Sequence, residues 1–482
     1  MNHDAYKRIG VPLPTVRQLL EWTDGDTETW RMYKDGLTMG LNQVEQPKTR
    51  EKVMQYRPQN ITELASFVAA VRPAFKSMLP VFLARRHFDY NIPVFDQLIQ
   101  TRDMRSSFIL FQEQVMKALQ YGSFTGPESY AAIKAIGKKH PEKVLPLKSR
   151  FLEGFAAHLL ADDSNCTAAK ATQISEKVWQ IIEDATSYGF CSAHAVCVAL
   201  DSLYGAWAKA HHPLAYYTSL LKSYAQKGDK DRIALAKEEM QMGFGIRVAP
   251  CRFGQDNRDF FADTERNTIS DALHAVKHVG KRVAERLYEL RNHTFSCFTD
   301  VLHTLEMEPA FDATAINILI RMGYFDCFDS VGKQLALLEA FRNGDSRFSK
   351  VHVQATQEKR LDALRELEKQ LPESDVSMEE QISFEIAHYG MPLSTFDGAK
   401  SLYAVLDVDD KYSPKVRLYN LESGKTGVMK VKKADFKRNP LKAGGLFELV
   451  CWQKKPAYQF VDGKPKVKPG QYDLWLTDYE LR

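Results

Sequence analysis

Three lysines whose spacing suits phosphate binding are grouped around Gly137: Lys134, Lys138 and Lys139. Residues four positions apart share one face of a helix, so Lys134 and Lys138 would project two ammonium groups from the same side. The glycine beside them would let a backbone or a phosphate approach closely. Cations also complement the dipole at the C-terminal end of a helix. The spacing therefore leaves two interpretations open: the lysines form an anion-binding site, or they lie on a solvated helix end.

Two helices are predicted to position these lysines. Ile109, Val115, Met116 and Leu119 recur at helical spacing, and a turn rich in glycine around residues 122–127 ends that helix. The second helix then carries the lysines. Helical periodicity extends over most of residues 61–242, which indicates a large helical domain.

Several motifs, in order along the chain, resemble the C family of DNA polymerases, represented by the bacterial replicative DNA polymerase III α subunit. Residues 111–116 (FQEQVM) and 133–139 (IKAIGKK) are similar to the YQEQVM and RRAMGKK segments of its fingers domain. Four further segments, similar to GVFQLE, ALYRPGP, YGFNKSHA and LKAHYP, are residues 40–45, 71–75, 187–195 and 209–213.

This resemblance implies a deoxynucleoside triphosphate (dNTP) site in the fingers, made by basic residues that would offset the charge shifting to pyrophosphate. The residues carried over are Arg72, Lys134, Lys138, Lys139 and His194. The chain departs from the family where Cys191 and Ser192 replace an Asn-Lys pair and Ile133 replaces the first arginine. A nucleotide-gripping role is therefore not carried over to Cys191 or Ser192.

A helix-hairpin-helix is predicted at residues 272–284, where a short helix, a tight turn and a second helix follow one another. Such hairpins hold duplex DNA by aiming backbone N–H groups at a phosphate. The predicted DNA-binding residues are Val279, Gly280, Lys281 and Arg282. His278 replaces the family's first turn glycine, and we expect its side chain to force a different turn. A purely structural helical hairpin is the alternative.

An oligonucleotide-binding (OB) fold is predicted at the C-terminal end, where the apolar period changes from helix to strand. The expected strands are 402–408, 416–421, 427–431, 445–453 and 472–476, with a short helix at 434–437 and a turn at 462–463. From residue 400 onward, 17 lysines and arginines face 10 acidic residues, a net charge of +7 in a chain of net charge +4. This charge favours binding of single-stranded template.

Aromatic residues interleaved with lysines are the candidate contacts on this domain. Each aromatic could stack on a base or, alternatively, belong to the core. The aromatic candidates are Tyr419, Trp452, Tyr458 and Phe460, and the basic ones are Lys415, Lys430, Lys432, Lys454 and Lys455.

The sequence thus predicts a multidomain, mainly α protein with an all-β C-terminal OB-fold. The predicted parts are a palm-to-fingers segment (1–57), helical fingers (58–255), a tandem helix-hairpin-helix domain (256–330), a helical connector (331–397) and the OB-fold (398–482). No stretch approaches the ~18 apolar residues of a membrane span. Seven scattered cysteines without paired spacing favour a reducing cytoplasm and argue against a zinc site or a disulfide framework.

The catalytic carboxylates are expected on another chain. In the family, acidic palm residues hold the two Mg²⁺ ions that activate the primer hydroxyl, and they precede the GVFQLE-like segment. Asp407 and Asp409 alternate in the same way, but their position in a hairpin indicates an ordinary acidic turn. Lys433 lies in an incomplete ligase-like KxDG motif, because Phe436 replaces the glycine. Residues 334–338 resemble a sliding-clamp-binding peptide, although burial on an amphipathic helix explains them as well.

The resemblance therefore implies a C-terminal subunit of a split replicative DNA polymerase, inactive by itself. It would bind dNTP and primer–template DNA together with a separate chain carrying the palm and PHP domains and Mg²⁺, in a bacterial or phage-infected cell. The alternative is a non-catalytic DNA-binding accessory protein derived from a polymerase. A remnant whose palm partner has been lost is a third possibility.

Overall fold

The computed structural model describes residues 1–72, 75–101, 104–138, 141–186, 190–411, 413–461 and 464–482. The chain packs as two units, residues 2–216 and residues 217–482. None of the described helices is both long and apolar enough to cross a membrane.

The first unit is built from helices. In chain order they are α1 (Asn2–Ile9), α2 (Val16–Thr23), α3 (Thr27–Lys34), α4 (Pro47–Tyr56), α5 (Ile61–Ala70), α6 (Leu79–Leu83), α7 (Pro93–Ile99), α8 (Gln112–Tyr121), α9 (Gly126–Gly137), α10 (Pro141–Asp162), α11 (Ala168–Thr186) and α12 (Ser192–His211). Helix α13 (Pro213–Gln226) begins in this unit and ends in the next.

The two helices predicted around the lysine cluster are present as α8 and α9. Thr125 and Glu128 form a capping box that starts α9, and Pro127 stands in its first turn, where the missing N–H is not needed. In the turn between the helices, the carbonyl of Gly122 meets α10 at Gly154, where a Cβ would lie 2.6 Å from that oxygen. Both helices pack on α10 and α11 around buried Phe151, Phe155 and Trp179.

The second unit begins with helical and short β elements, and its apolar core is formed mainly by the helices from Lys281 onward. The elements are α14 (Lys230–Phe244), β1 (Arg247–Ala249), β2 (Phe261–Asp263), β3 (Thr268–Ser270), a 3-10 turn (Leu273–Ala275), α15 (Lys281–Leu290), α16 (Phe298–Met307), α17 (Ala313–Arg321), α18 (Val331–Asn343), α19 (Gln354–Gln370) and α20 (Met378–Tyr389). The core runs from α15 into α18 and α19, because Leu337 and Leu364 pack with Leu287. It therefore continues past residue 330, the end assigned to the helix-hairpin-helix domain from the sequence.

The C-terminal strands form a closed five-stranded barrel, which confirms the predicted OB-fold. Its strands are β4 (Leu402–Asp409), β5 (Lys415–Asn420), β6 (Thr426–Val431), β7 (Leu446–Val461) and β8 (Lys464–Leu481), in the order β4-β5-β6-β8-β7. Helix α21 (Lys433–Arg438) lies between β6 and β7, as predicted. The last two strands are longer than predicted because they pair with each other out to Val461 and Lys464. The predicted turn at 462–463 falls outside the described residues.

Candidate nucleic-acid interface

Arg72 and His194, both predicted to bind dNTP, meet on the ring of Phe190. The Arg72 guanidinium lies over this ring at 3.0 Å from its centroid, and His194 packs edge-on against it at 5.0 Å. Burial lowers the pKa of Arg72 from its ordinary value, yet a guanidinium stays protonated near neutral pH. The Arg72 cation and the His194 imidazole thus both contact the Phe190 ring.

The FQEQVM segment positions that support. Phe111 and Phe190 form a parallel β-bridge, in which the Gln112 amide donates to the Phe190 carbonyl at 3.0 Å. One residue further on, both carboxylate oxygens of Glu113 accept the Ser192 backbone N–H at 3.1 Å. Because Cys191 provides no side-chain cap at the start of α12, the Glu113 carboxylate supplies the negative charge that the helix N-terminus favours.

Gln114 anchors the segment that leads into this bridge. Its side-chain oxygen accepts from the amides of Leu110 (2.8 Å) and Phe111 (2.9 Å), and its nitrogen donates to the carbonyls of Ile99 (2.7 Å) and Phe108 (2.9 Å). The side chain is buried, so these four bonds satisfy backbone groups that water does not reach.

Lys134 and Lys138 lie at the C-terminal end of α9, as the spacing predicts. Both side chains are exposed, and the Lys134 ammonium sits 4.3 Å from the ring centroid of Tyr130. Ile133, which replaces the family's first arginine, is buried with Ile136 in the core against α10 and α11. Lys139 falls outside the described residues, as do residues 187–189 of the YGF motif.

The predicted helix-hairpin-helix places an open helix N-terminus at the surface. Gly280 is the N-cap of α15 and has no side chain to accept from the first-turn amides. A Cβ at this position would meet nothing within 4 Å, and Lys281 and Arg282 follow as exposed cations. The first-turn amides of α15, the positive end of its helix dipole and the two cations are thus all available at a site that suits a phosphate.

The turn before α15 corrects two sequence-based expectations. His278 takes φ +68°, the left-handed conformation that glycine adopts most readily, so its side chain is accommodated without abandoning that backbone geometry. Val279 is buried, and its amide donates to the Val276 carbonyl at 3.1 Å. Val279 therefore holds the turn in place, and its amide is already used within the hairpin.

On the barrel, the predicted lysines are spread over β5, β6 and β7 and the start of α21. Lys430 pairs with Asp473 at 2.5 Å, and Lys455 lies 5.0 Å from the ring of Trp475. Lys454 lies 4.4 Å from the ring of Tyr472. Of the other predicted contacts, Lys415, Lys432, Trp452 and Tyr458 are exposed, and the side chain of Phe460 lies outside the described part of the structure.

For Tyr419 and for the clamp-like segment, where the sequence left both surface contact and burial open, the structure shows burial. Tyr419 is only 1% exposed, and its hydroxyl donates to the Ser394 carbonyl at 3.2 Å, so it does not offer a ring to a base. In the clamp-like segment, Gln334 is fully buried and donates to the carbonyls of Phe325 (2.8 Å) and Asp329 (2.6 Å). The segment faces the core of its own unit, which favours the structural explanation.

Among the described residues, the carboxylates whose alternation resembles metal ligands do not fit a Mg²⁺ site. Asp407 and Asp409 do share an exposed face of β4, but Asp409 accepts from the Lys411 amide at 3.2 Å, as an acidic turn residue does. In the described part of the chain, no group of three or more His, Cys, Asp or Glu side chains is arranged to hold a metal ion.

Comparison with known proteins identifies the relatives of this arrangement. A model of the bacterial DNA polymerase III alpha subunit finger domain matches residues 15–158, and a helix-hairpin-helix model matches residues 245–335. The DNA polymerase III subunit alpha of Campylobacter jejuni is 28% identical over 317 residues, 64% of this chain and 25% of that protein. That of Aquifex aeolicus is 25% identical over 338 residues, 68% of this chain and 27% of that protein.

These matches confirm the resemblance drawn from the motifs: the chain is similar to the bacterial DNA polymerase III α subunit, and the matched parts are a finger-domain region and a helix-hairpin-helix region. The chain spans about a quarter of the length of the curated relatives it matches. The predicted domain boundaries and the individual site residues stay predictions.

Sequence reasoning missed three residues of the interface. Phe190, which supports Arg72, and Glu113, which caps α12, both lie inside motifs that were recognised, but their roles depend on contacts between segments far apart in the sequence. Trp475 was counted only as part of a strand, although Lys430 and Lys455 both approach its ring. In the sequence Trp475 stands between Asp473 and Asp478 with no lysine nearby, so no local signal marked it as a contact.

Proposed function

We propose that this chain supplies the fingers, helix-hairpin-helix and OB parts of a C-family replicative DNA polymerase. It would bind the incoming dNTP and primer–template DNA for template-directed synthesis, while a separate chain with the palm and PHP domains holds the catalytic carboxylates and Mg²⁺. In this proposal the enzyme works in the cytoplasm of a bacterial or phage-infected cell.

The convergence of three polymerase-like motifs carries the proposal. Arg72 of the ALYRPGP-like segment and His194 of the YGFNKSHA-like segment both contact the Phe190 ring. Glu113 of the FQEQVM segment caps the helix that bears His194. Contact between motifs this far apart in the sequence is expected if they form one site. The Arg72 cation, with Lys134, Lys138 and Lys139, would stabilise the negative charge of a triphosphate.

Primer extension tests the proposal directly. The chain is mixed with and without a palm-bearing chain, and incorporation on a primed template is measured with Mg²⁺. Extension is expected only in the mixture, and the Arg72→Ala variant should raise the dNTP concentration needed for half-maximal rate. Extension by this chain alone would refute the requirement for a separate palm-bearing chain.

An accessory protein that only binds DNA is the second candidate, and the burial of Ile133 favours it. A hydrophobic residue packed in the core cannot supply the cation that the family has at that position. Lys138→Ala separates the two candidates, with exposed Lys170→Ala on α11 as the matched control. A polymerase should lose dNTP affinity and keep its DNA affinity, whereas an accessory protein should lose DNA affinity or remain unchanged.

A further inference from the structure

A cleft in the first unit lies apart from the residues assigned to dNTP or DNA. Its volume is about 300 Å³, at the lower end of the range for small-ligand sites. We name it the arginine cleft; its polar lining includes Arg85, Arg86, His87 and Arg105 together with Glu63, Thr62, Ser66 and Ser106, and its aromatic lining is Tyr56, Phe82 and Phe108.

Arg85 forms a fixed wall of the arginine cleft. Its guanidinium binds both oxygens of Glu63, at 2.8 and 2.6 Å, and donates to the carbonyls of Tyr56 (2.9 Å) and Arg57 (2.8 Å). The guanidinium also covers the Tyr56 ring at 4.6 Å. These contacts hold Arg85 at φ +52° and neutralise the Glu63 carboxylate, so that it does not repel an anion in the cleft.

Arg86 and Arg105 carry the positive charge of the cleft that is not used in ion pairs with described residues. Both side chains are exposed, and within the described part of the chain neither guanidinium has an ion-pair partner. His87 is different, because it bonds Asp89 at 3.0 Å and Ser106 at 3.4 Å. Among the described residues, the cleft is therefore lined by two exposed guanidinium groups without ion-pair partners, together with aromatic rings.

From this geometry we propose that the arginine cleft binds a phosphate group. Guanidinium groups present paired N–H donors that match phosphate oxygens, and two of them suit a multiply charged anion. The phosphate belongs either to a DNA strand or to a free nucleotide, and both have the same chemistry at the cleft. The choice of these ligands rests on the proposed function, whereas the affinity for phosphate does not.

Titrations of wild-type and variant chains with three probes test the proposal. The probes are inorganic tripolyphosphate, dATP and a fluorescent oligothymidylate, each measured at low and at moderate salt. The test variant is Arg86→Gln combined with Arg105→Gln. The control is Arg17→Gln, which removes one exposed charge from α2 in the same unit. Thermal unfolding should be unchanged in all variants, because the altered side chains are exposed.

The proposal expects the double variant to weaken at least one probe about tenfold or more, since hydrogen bonds between charged groups are the strong ones. Loss of tripolyphosphate and dATP binding together assigns a free nucleotide. Loss of oligonucleotide binding alone, with a salt dependence reduced by about 0.7 per removed contact, assigns a DNA strand. If all three probes bind the double variant within about twofold of wild type, or no worse than Arg17→Gln, the arginine cleft is not a phosphate site.

Failure of this inference can be distinguished from failure of the proposed function. Lys138→Ala reports on the dNTP site at α9, which shares no residue with the arginine cleft. A normal Lys138→Ala variant with a defective cleft variant would leave the phosphate site standing and count against the polymerase assignment. A defective Lys138→Ala variant with a normal cleft variant would support the polymerase assignment and show that the arginine cleft is not a phosphate site.

Discussion

Replacing Gln114 with leucine should destabilise the first unit far more than a change at a neighbouring glutamine. The buried Gln114 side chain satisfies two amides and two carbonyls of the segments around Ile99 and residues 108–111. A typical intramolecular hydrogen bond contributes about 0.5–1.5 kcal/mol net, so losing four costs about 2–6 kcal/mol. The total free energy of unfolding of a domain is only about 5–15 kcal/mol.

Urea unfolding monitored by circular dichroism measures this loss, and hydrogen exchange of the peptide covering residues 108–121 localises it. Gln120→Leu is the matched control, because it lies on the same helix α8 but is exposed. Its free energy of unfolding should change by no more than about 0.5 kcal/mol. We also expect Gln114→Leu to weaken protection of the Gln112 amide, which bonds Phe190.

The reasoning would be refuted by a Gln114→Leu protein whose free energy of unfolding falls by less than about 1 kcal/mol. Such a result would mean that water or a shifted backbone satisfies the four groups. It would also refute the idea that Gln114 holds the Phe111–Phe190 bridge, if exchange of residues 108–121 were unchanged.

Three further outcomes are expected. Lys281→Ala should weaken duplex binding for every DNA sequence and reduce the salt slope by about 1, measured by anisotropy; an unchanged slope would remove it from the phosphate site. Trp452→Ala should weaken single-strand binding by about 1–3 kcal/mol, because its exposed ring can stack on a base; an unchanged affinity would contradict this assignment. Hydrogen bonds from Arg150 and then Thr125 lower the pKa of Glu128 from 4.5 to about 2. The ionised carboxylate therefore stabilises the start of α9 fully above pH 4.5, and this stabilisation is lost as the pH falls towards 2. An NMR titration of Glu128 would measure its pKa. Arg150→Gln should raise this pKa, and an unchanged value would exclude the pairing of Glu128 with Arg150.

Much of the fold follows from local sequence patterns. Helix α9 begins at the Thr125–Glu128 capping box and ends near the glycine at 137, so its ends are set by residues within its own length. The barrel strands alternate with period two, and the position of α21 between β6 and β7 identifies the OB order. The length of β7 and β8 did not follow, because strand pairing continues where alternation in the sequence is weak.

Local sequence patterns predict the resemblance to the polymerase III α subunit, the helical and barrel regions, and the lysine pair at the end of α9. Each of these depends on periodicity, capping or motif order within a short window. Only the tertiary structure decided that Arg72 and His194 share the Phe190 ring, that Glu113 caps α12 and that Tyr419 is buried. The physical reason is that such contacts join residues far apart along the chain, and burial depends on how whole elements pack rather than on the residue type.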